Sequence, residues 1–598
     1  MKQKTSIMSK FFELLKKHWI ALVLAVLMGL LFLSYHILAI NLLGDAEYQP
    51  VTIKTHYDIA VLYAPRAQAV YSGQTIAGDI SLYEYQNGPA FLPIINPIIM
   101  ALLVKFTGSM KKALIFSDFV FPALVFIMVY LFALKITKRK YLSLFFSFIF
   151  VLNPRIGEFN QYSLLKPFTP FLNFGRFDHP QITFIFFVPA MYFIYRAITE
   201  KNKISIILAG VCSGLLFYTY FYDWVYVFTG LFLLFVIFLI QKNFAAAKII
   251  IYIGCIALAV SVLYWINFLT LSSLPQYKDI VARVGVEVSN QFRFTNWRAY
   301  LRHIILALLI WFAFSKKQKV LTAYLIAFLL PLLILLNIQV ITGFNPQSDH
   351  WSRTHWLILG TAILMLFIWL YEKYFKKIPK KYFLVLGSSI MAVVSIITIN
   401  TYIKMSALNY DKQWLPPQIL TSYTWLSQNT PQGSVVGSIS YITNAELLLY
   451  TENKVFLPYG LNTLAPTDEI WERFFYISKL FNFPEEQFSK SISENQGMLM
   501  HLFHCQYYVD KSLNSFFKKN KRELPEKLFK EKMDSYKEIL NKPDNLIIPY
   551  KLDYIYFGPR EKELSENLKI SYPFLDKVYD DDYIQIYKVT ERTKLNIL

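Results

Sequence analysis

Hydrophobic residues come in long blocks along this chain rather than in alternation with polar ones. From Trp19 to Ile40 no charged side chain occurs over 22 residues, which as a helix spans about 33 Å and crosses a hydrocarbon layer of ~30 Å. Further apolar runs lie near 90–104, 113–134, 141–152, 182–198, 204–222, 224–241, 248–270, 303–314, 320–341, 356–371 and 383–403. Together they predict a polytopic α-helical membrane protein of about 11–13 spans occupying residues 1–403. Lys2, Lys4, Lys10, Lys16 and Lys17 precede the first run, which is longer than the roughly 7–15 apolar residues of a cleavable signal peptide. The reading is a retained first helix with a cytoplasmic N-terminus.

Short Lys-rich loops at 199–203, 315–319 and 373–381 fit the same side of the membrane. One stretch resists that rule. Lys105, Lys111 and Lys112 precede the 113–134 run, while Lys135, Lys138, Arg139 and Lys140 follow it, and a single span cannot keep both ends inside. Either one run is re-entrant or one basic loop faces out.

From about residue 404 the blocks give way to dense charge of mixed sign. Residues 404–598 form a soluble domain placed outside the cytoplasm, with an α/β pattern. Strands are expected at Val435-Val436, Lys454 to Leu457 and Tyr554 to Phe557, with a terminal strand from Tyr583 to Val589. Helices are expected after Pro416-Pro417, around Asn444 to Tyr450, and over Lys511 to Leu540 with an interruption at Pro525.

Composition changes this picture in one respect. The chain is 55% hydrophobic and 17% charged with a net charge of +20, and so strong a positive balance can signal nucleic acid. Residues 1–403 hold 36 of the 60 basic side chains but 15 of the 40 acidic ones, so the excess sits between apolar runs, where it marks membrane orientation. Nucleic acid is not implied. Cys212, Cys255 and Cys505 make neither a disulfide framework nor a metal-ligand spacing.

Because carboxylates are costly near a bilayer, the few acids of the membrane part are informative. Asp45, Glu47, Asp58, Asp79 and Glu84 fall in the loop 41–90 after the first helix. Within it the order is His56-Tyr57-Asp58, then Tyr63-Ala64-Pro65-Arg66-Ala67, then Tyr71-Ser72-Gly73. A basic-flanked first helix, an acidic loop reading Asp-x4-Tyr-x2-Arg-Ala-x5-Gly, many spans and a C-terminal domain together resemble the GT-C superfamily of membrane glycosyltransferases. That family includes protein O-mannosyltransferases, the lipid A aminoarabinose transferase and oligosaccharyltransferase catalytic subunits. The resemblance implies a sugar transferase of the cell (plasma or inner) membrane, using a polyprenyl-phosphate-linked donor and an extracytoplasmic glycan, lipid or protein acceptor, by an inverting route. It matches Asp58 to the family's loop carboxylate. Several members have an Asp-Glu pair there, whereas Ile59 follows here. Asp45 and Glu47 are the alternative placement.

The residue types suit that chemistry. A polyprenyl-phosphate sugar carries its own leaving group, so the protein must deprotonate an acceptor hydroxyl and stabilise the departing phosphate. A carboxylate does the first, and arginine, always charged and able to bind phosphate in bidentate fashion, does the second. Arg353, in the short loop 342–355, is the preferred phosphate ligand and Arg293 the second. Glu158, Asp178 and His179, in the segment 153–181, are candidate ligands of a divalent metal (Mg or Mn), against the plainer reading of a polar loop. Asp223 reads as a helix cap.

The C-terminal entry, Trp425 to Pro431 followed by Ser434 to Ser438, resembles that of oligosaccharyltransferase catalytic subunits. Their Trp-Trp-Asp-Tyr-Gly motif is absent: Ser438-Ile439-Ser440-Tyr441-Ile442 stands in its place, which argues against transfer to Asn sequons. The alternatives to a transferase are a lipid-linked glycan flippase and a non-catalytic membrane scaffold. A flippase is expected to carry charge along its spans, where Asp118 is the one acid found here. A scaffold is expected to tolerate replacement of Asp58.

Overall fold

The computed structural model describes residues 7–45, 47–152, 173–293, 297–408, 410–507, 522–542, 548–565 and 568–590. Among them, seven helices are long and apolar enough to cross a bilayer: Leu15–Leu43, Met110–Thr137, Phe177–Glu200, Phe221–Ile240, Trp297–Phe314, Trp356–Phe375 and Lys381–Lys404. A bent pair, Phe244–Val260 and Val262–Ser272, meets at 56°, and four shorter apolar helices accompany them. The apolar runs of the sequence therefore all become helices. They do not all have the length to cross.

The basic stretch around the Met110–Thr137 helix finds its explanation here. The 90–104 run becomes the helix Ile95–Thr107, whose 13 residues reach only about 20 Å. Lys111 pairs with Asp45 at 3.0 Å, beside the C-terminal end of the first helix. At the opposite end Lys135 pairs with Glu200, Arg139 with Glu372, and Lys140 Nζ donates to the Lys17 carbonyl. One basic cluster thus lies at each end of this span. The first helix packs closely on it: a Cβ at Gly29 would lie 2.4 Å from the Phe119 carbonyl oxygen, so glycine sets that approach.

The C-terminal part carries a five-stranded sheet ordered β4-β3-β5-β7-β6, with β3 at Val435–Gly437, β4 at Lys454–Val455, β5 at Tyr554–Phe557, β6 at Leu575–Asp580 and β7 at Gln585–Val589. Pairing is parallel for β3 with β4 and β5, and antiparallel for β7 with β5 and β6. A two-stranded ribbon, β1 (Val286–Val288) with β2 (Phe344–Pro346), lies in the membrane part. The C-terminal helix begins at Glu526, directly after Pro525. Residues 508–521, where its expected N-terminal part falls, are outside the described ones.

The loop after the first helix is clamped between the two parts. Ile59, Ala60, Ala64 and Ala67 pack against Met100 and Val104, while Val61 and Leu62 pack against Ala445 and Tyr459 of the C-terminal domain. The Val455 amide donates to the Ser81 carbonyl at 3.0 Å, so the loop extends the edge of the sheet. Arg283, fully buried, donates to the carbonyls of Gly460, Thr463 and Ala465 and to Thr467 Oγ1. A second segment of the membrane part is thereby fastened to the same domain. The first loop and the C-terminal domain share one side of the membrane.

Candidate functional site

Four of the five acids of the first loop have structural partners. Asp45 pairs with Lys111 at an exposed position, and Glu47 accepts from Trp414 Nε1 at 3.0 Å. Asp79 accepts from the amides of Ser81, Leu82 and Leu464 and from Thr463 Oγ1. Glu84 pairs with Arg473 at 2.8 Å. These contacts fold the loop and fasten it to the C-terminal domain.

Asp58 is placed differently. Its Oδ1 accepts from the Ile59 amide at 3.0 Å and so caps the tight turn Ile59–Tyr63, which runs straight into the helix Ala64–Tyr71 with Pro65 at its start. Its Oδ2 accepts from Arg176 Nη2, and the Arg176 guanidinium lies 5.8 Å from the centre of the Tyr63 ring. Asp58 remains half-buried, open on one side.

Arg176 precedes a compact turn, Phe177–Ile182, that buries Asp178 and His179. Asp178 accepts from Asn96 Nδ2 at 2.9 Å and feels the charges of Arg176 and Arg66. The His179 ring stacks on Tyr220 at 4.1 Å, and its Nδ1 meets Thr183 Oγ1 at 2.7 Å. Tyr220 in turn bonds His350 Nδ1 at 2.9 Å, which links this turn to the segment carrying Arg353. That segment is pinned at both ends: Thr354 Oγ1 donates to buried Asp223 at 2.8 Å, and Trp351 Nε1 donates to Asn345 Oδ1 at 2.9 Å. Arg353 lies within electrostatic reach of Arg176 and Tyr63.

Arg176 thus donates to Asp58, the charges of Arg176 and Arg66 reach Asp178, and that of Arg353 reaches Arg176. Burial lowers the guanidinium pKa of Arg66 and of Arg176 to about 10, so both stay cationic at neutral pH. Burial, reinforced by the charge of Arg353, holds the His350 imidazole well below its usual range and therefore neutral. The site keeps a net positive charge, which suits an anion.

Beside Asp58 and Arg176 opens a cleft lined by residues of the first loop and of the long apolar helices. His56, Ile59, Gly175 and Phe177, near those two residues in the chain, line it together with the aromatic side chains of Phe32, Tyr35 and Tyr402. Asp118, which also lines it, accepts from His36 Nε2 at 2.8 Å and from Gln181, and His36 Nδ1 meets Tyr48 OH at 2.7 Å. The acid singled out inside the spans is thus engaged by the helices and loops around it.

The structure brings Asp58, Asp178, His179 and Arg353 into one place and sets the other candidates apart. Arg293 pairs at 2.7 Å with Glu287 of β1. Asp45 and Glu47 sit near the end of the first helix in the contacts just given. Glu158 is outside the described residues. Among the described residues no three His, Cys, Asp or Glu side chains group as metal ligands. Asp58 and Asp178 face arginines, and His179 is held by Thr183 and Tyr220, so these described residues do not fit a divalent cation.

Arg176 and Asn96 carry no role in the sequence reading. Arg176 lies 118 positions from Asp58, and nothing in local spacing joins them. A basic residue among aromatics just before an apolar run is the one available signal.

No family model matches this chain, and no curated protein matches it. Among solved structures the chain is similar to the crystal structure of ArnT from Cupriavidus metallidurans bound to undecaprenyl phosphate, at 10% sequence identity and a TM-score of 0.47, over 95% of this chain and 97% of that one.

Proposed function

We propose that this protein is a membrane glycosyltransferase of the GT-C kind that moves a sugar from a polyprenyl-phosphate donor to an acceptor hydroxyl on the extracytoplasmic side, with Asp58 as the base. The observation that carries this reading is the pairing of half-buried Asp58 with Arg176. Of the five loop acids, it alone pairs with Arg176, whose chain neighbours Gly175 and Phe177 line the adjacent cleft.

In this reading the lipid chain lies along the aromatic cleft and the donor phosphate sits against Arg176 and Arg353. The acceptor oxygen attacks the anomeric carbon as its proton passes to Asp58. The bond from that carbon to the phosphate oxygen breaks, and the electron pair leaves with the polyprenyl phosphate, whose new charge the two guanidinium groups stabilise. A single displacement inverts the anomeric centre. The cluster is positive before donor binds, so Coulomb attraction also favours capture of the anionic donor. No step requires a metal, and EDTA is expected to leave turnover unchanged.

The test is release of polyprenyl phosphate from a panel of polyprenyl-phosphate sugars by the full-length protein in lipid nanodiscs, with native membrane extract as acceptor source. Release from at least one donor supports the reading. Absence of release from every donor by folded protein refutes it.

A further inference from the structure

Arg66 belongs to the loop motif, yet the transfer step does not use it. It lies on the helix Ala64–Tyr71, eight residues beyond Asp58 and about 12 Å along the helical path, with 7% of its surface exposed. Its guanidinium has five N–H donors. Among the described residues it meets one hydrogen-bond acceptor, the Leu92 carbonyl, 3.1 Å from Nη2. The nearby carboxylate, Asp178, is shared with Arg176 and Asn96. A buried cation so sparsely bonded is costly unless something else pairs with it.

Arg66 lines a second, small and partly open pocket with Asp79, Phe91, Leu92, Asn462 and Leu464. The first loop forms one side of it and the C-terminal domain the other. Asp79 is not free to answer Arg66, because four donors occupy its two oxygens, and the Lys454 ammonium, donating to the Asp79 and Ile80 carbonyls, adds positive charge beside it. The wall is closely folded: a Cβ at Gly78 would lie 1.8 Å from the Gln86 carbonyl oxygen. Ala77, by contrast, is an exposed residue of the same pocket.

We propose that this pocket binds an anionic substituent, a carboxylate or a phosphate, of the saccharide that reacts at Asp58, with Arg66 as its counter-ion. The inference rests on Asp58 marking the site of transfer. It assigns the C-terminal domain a part in recognition, because Asn462 and Leu464 close the pocket over the substituent. The acid can belong to the donor sugar, as in a uronic acid, or to the acceptor, as in a phosphorylated or acidic glycan.

Two measurements on the full-length protein test it. In the first, thermal stabilisation by glucuronate, glucose 1-phosphate and glucose is compared for the parent, Arg66→Gln and Ala77→Glu. The Ala77 change plants a carboxylate at an exposed rim and leaves the buried arginine in place, so it covers the case in which Arg66→Gln fails to fold. The two anions are expected to stabilise the parent more than glucose does, and both variants are expected to lose that difference. In the second, the ratio of KM for acidic and neutral substrates is measured once with glucuronyl and glucosyl donors and once with acidic and neutral acceptors. The ratio is expected to change about tenfold or more in each variant, as for loss of a charge-assisted hydrogen bond, in the arm that carries the acid. Anion-specific stabilisation without turnover from any donor would keep the pocket and reject the transferase reading. Turnover with the same stabilisation and the same KM ratios in parent and variants overturns the inference and leaves the transferase standing.

Discussion

Replacing Arg176 by Gln removes a cation that donates to Asp58, lies over the Tyr63 ring and helps balance Asp178. Asp178 keeps Asn96 and the field of Arg66, so the fold is expected to survive. The larger effect falls on the transition state, where charge grows on the departing phosphate. Removing one preorganised donor from such a site costs about 10²–10³ in rate. Arg353 remains within electrostatic reach, so the lower end applies, roughly 10² or about 2.7 kcal/mol. Arg176→Lys restores a point charge without the planar fork and is expected to fall between the Gln variant and the parent. The assay is single-turnover release of polyprenyl phosphate at saturating donor, with donor affinity measured separately. A double change of Arg176 and Arg353 should cost less than the product of the single effects if both hold one phosphate. A folded Arg176→Gln protein that turns over within about twofold of the parent would refute the assignment. Equal losses in the Lys and Gln variants, with a matching drop in thermal stability, would reduce Arg176 to a structural brace.

Two further outcomes follow from the C-terminal domain. His501 lies buried between Tyr441 and Tyr459, and burial pushes its pKa down to about 3. Since the folded value lies below the unfolded one of about 6.5, its contribution is complete above pH 6.5 and is lost as pH falls toward 3, at up to about 1.4 kcal/mol per pH unit. Thermal melts between pH 7 and 4.5 should show a shallower decline for His501→Phe than for the parent, and identical slopes would contradict the reasoning. Arg283→Met leaves three buried carbonyls without their donor, at about 1–3 kcal/mol each before relaxation. It should lower the melting temperature and expose the contact with residues 460–467 to limited proteolysis, and an unchanged cleavage pattern would count against Arg283 as the fastening between the two parts.

How much of this was readable from the chain depends on the range of the interaction concerned. Runs such as Trp19 to Ile40 announce themselves because a helix satisfies its own backbone and the bilayer demands apolar side chains. Length decides whether a run crosses, and the 90–104 run is where that mattered: Gly108 in a left-handed conformation ends the helix at Thr107. In the C-terminal domain β3, β5 and β7 were legible from their β-branched and aromatic residues. β6, reading Leu-Asp-Lys-Val-Tyr-Asp, was not, because it is mostly exposed and held by its pairing with β7. Asp58 stands out locally, through the acids and tyrosines around it. Its partner does not, since the Asp58–Arg176 contact is made by packing two distant turns together. Arg293 is similar in this respect: its sequence surroundings suggested a phosphate ligand, and nothing local announced the ion pair it makes with Glu287.

The most direct test of the central claim is the turnover of Asp58→Asn. Asn preserves the shape of the side chain and can still accept from the Ile59 amide, but it cannot take a proton from the acceptor. With folding verified by thermal melt, release of polyprenyl phosphate from the donor that the parent uses is expected to fall by about 10²–10⁴. Turnover equal to that of the parent would contradict the account and return the search for the base to the remaining carboxylates of the loop.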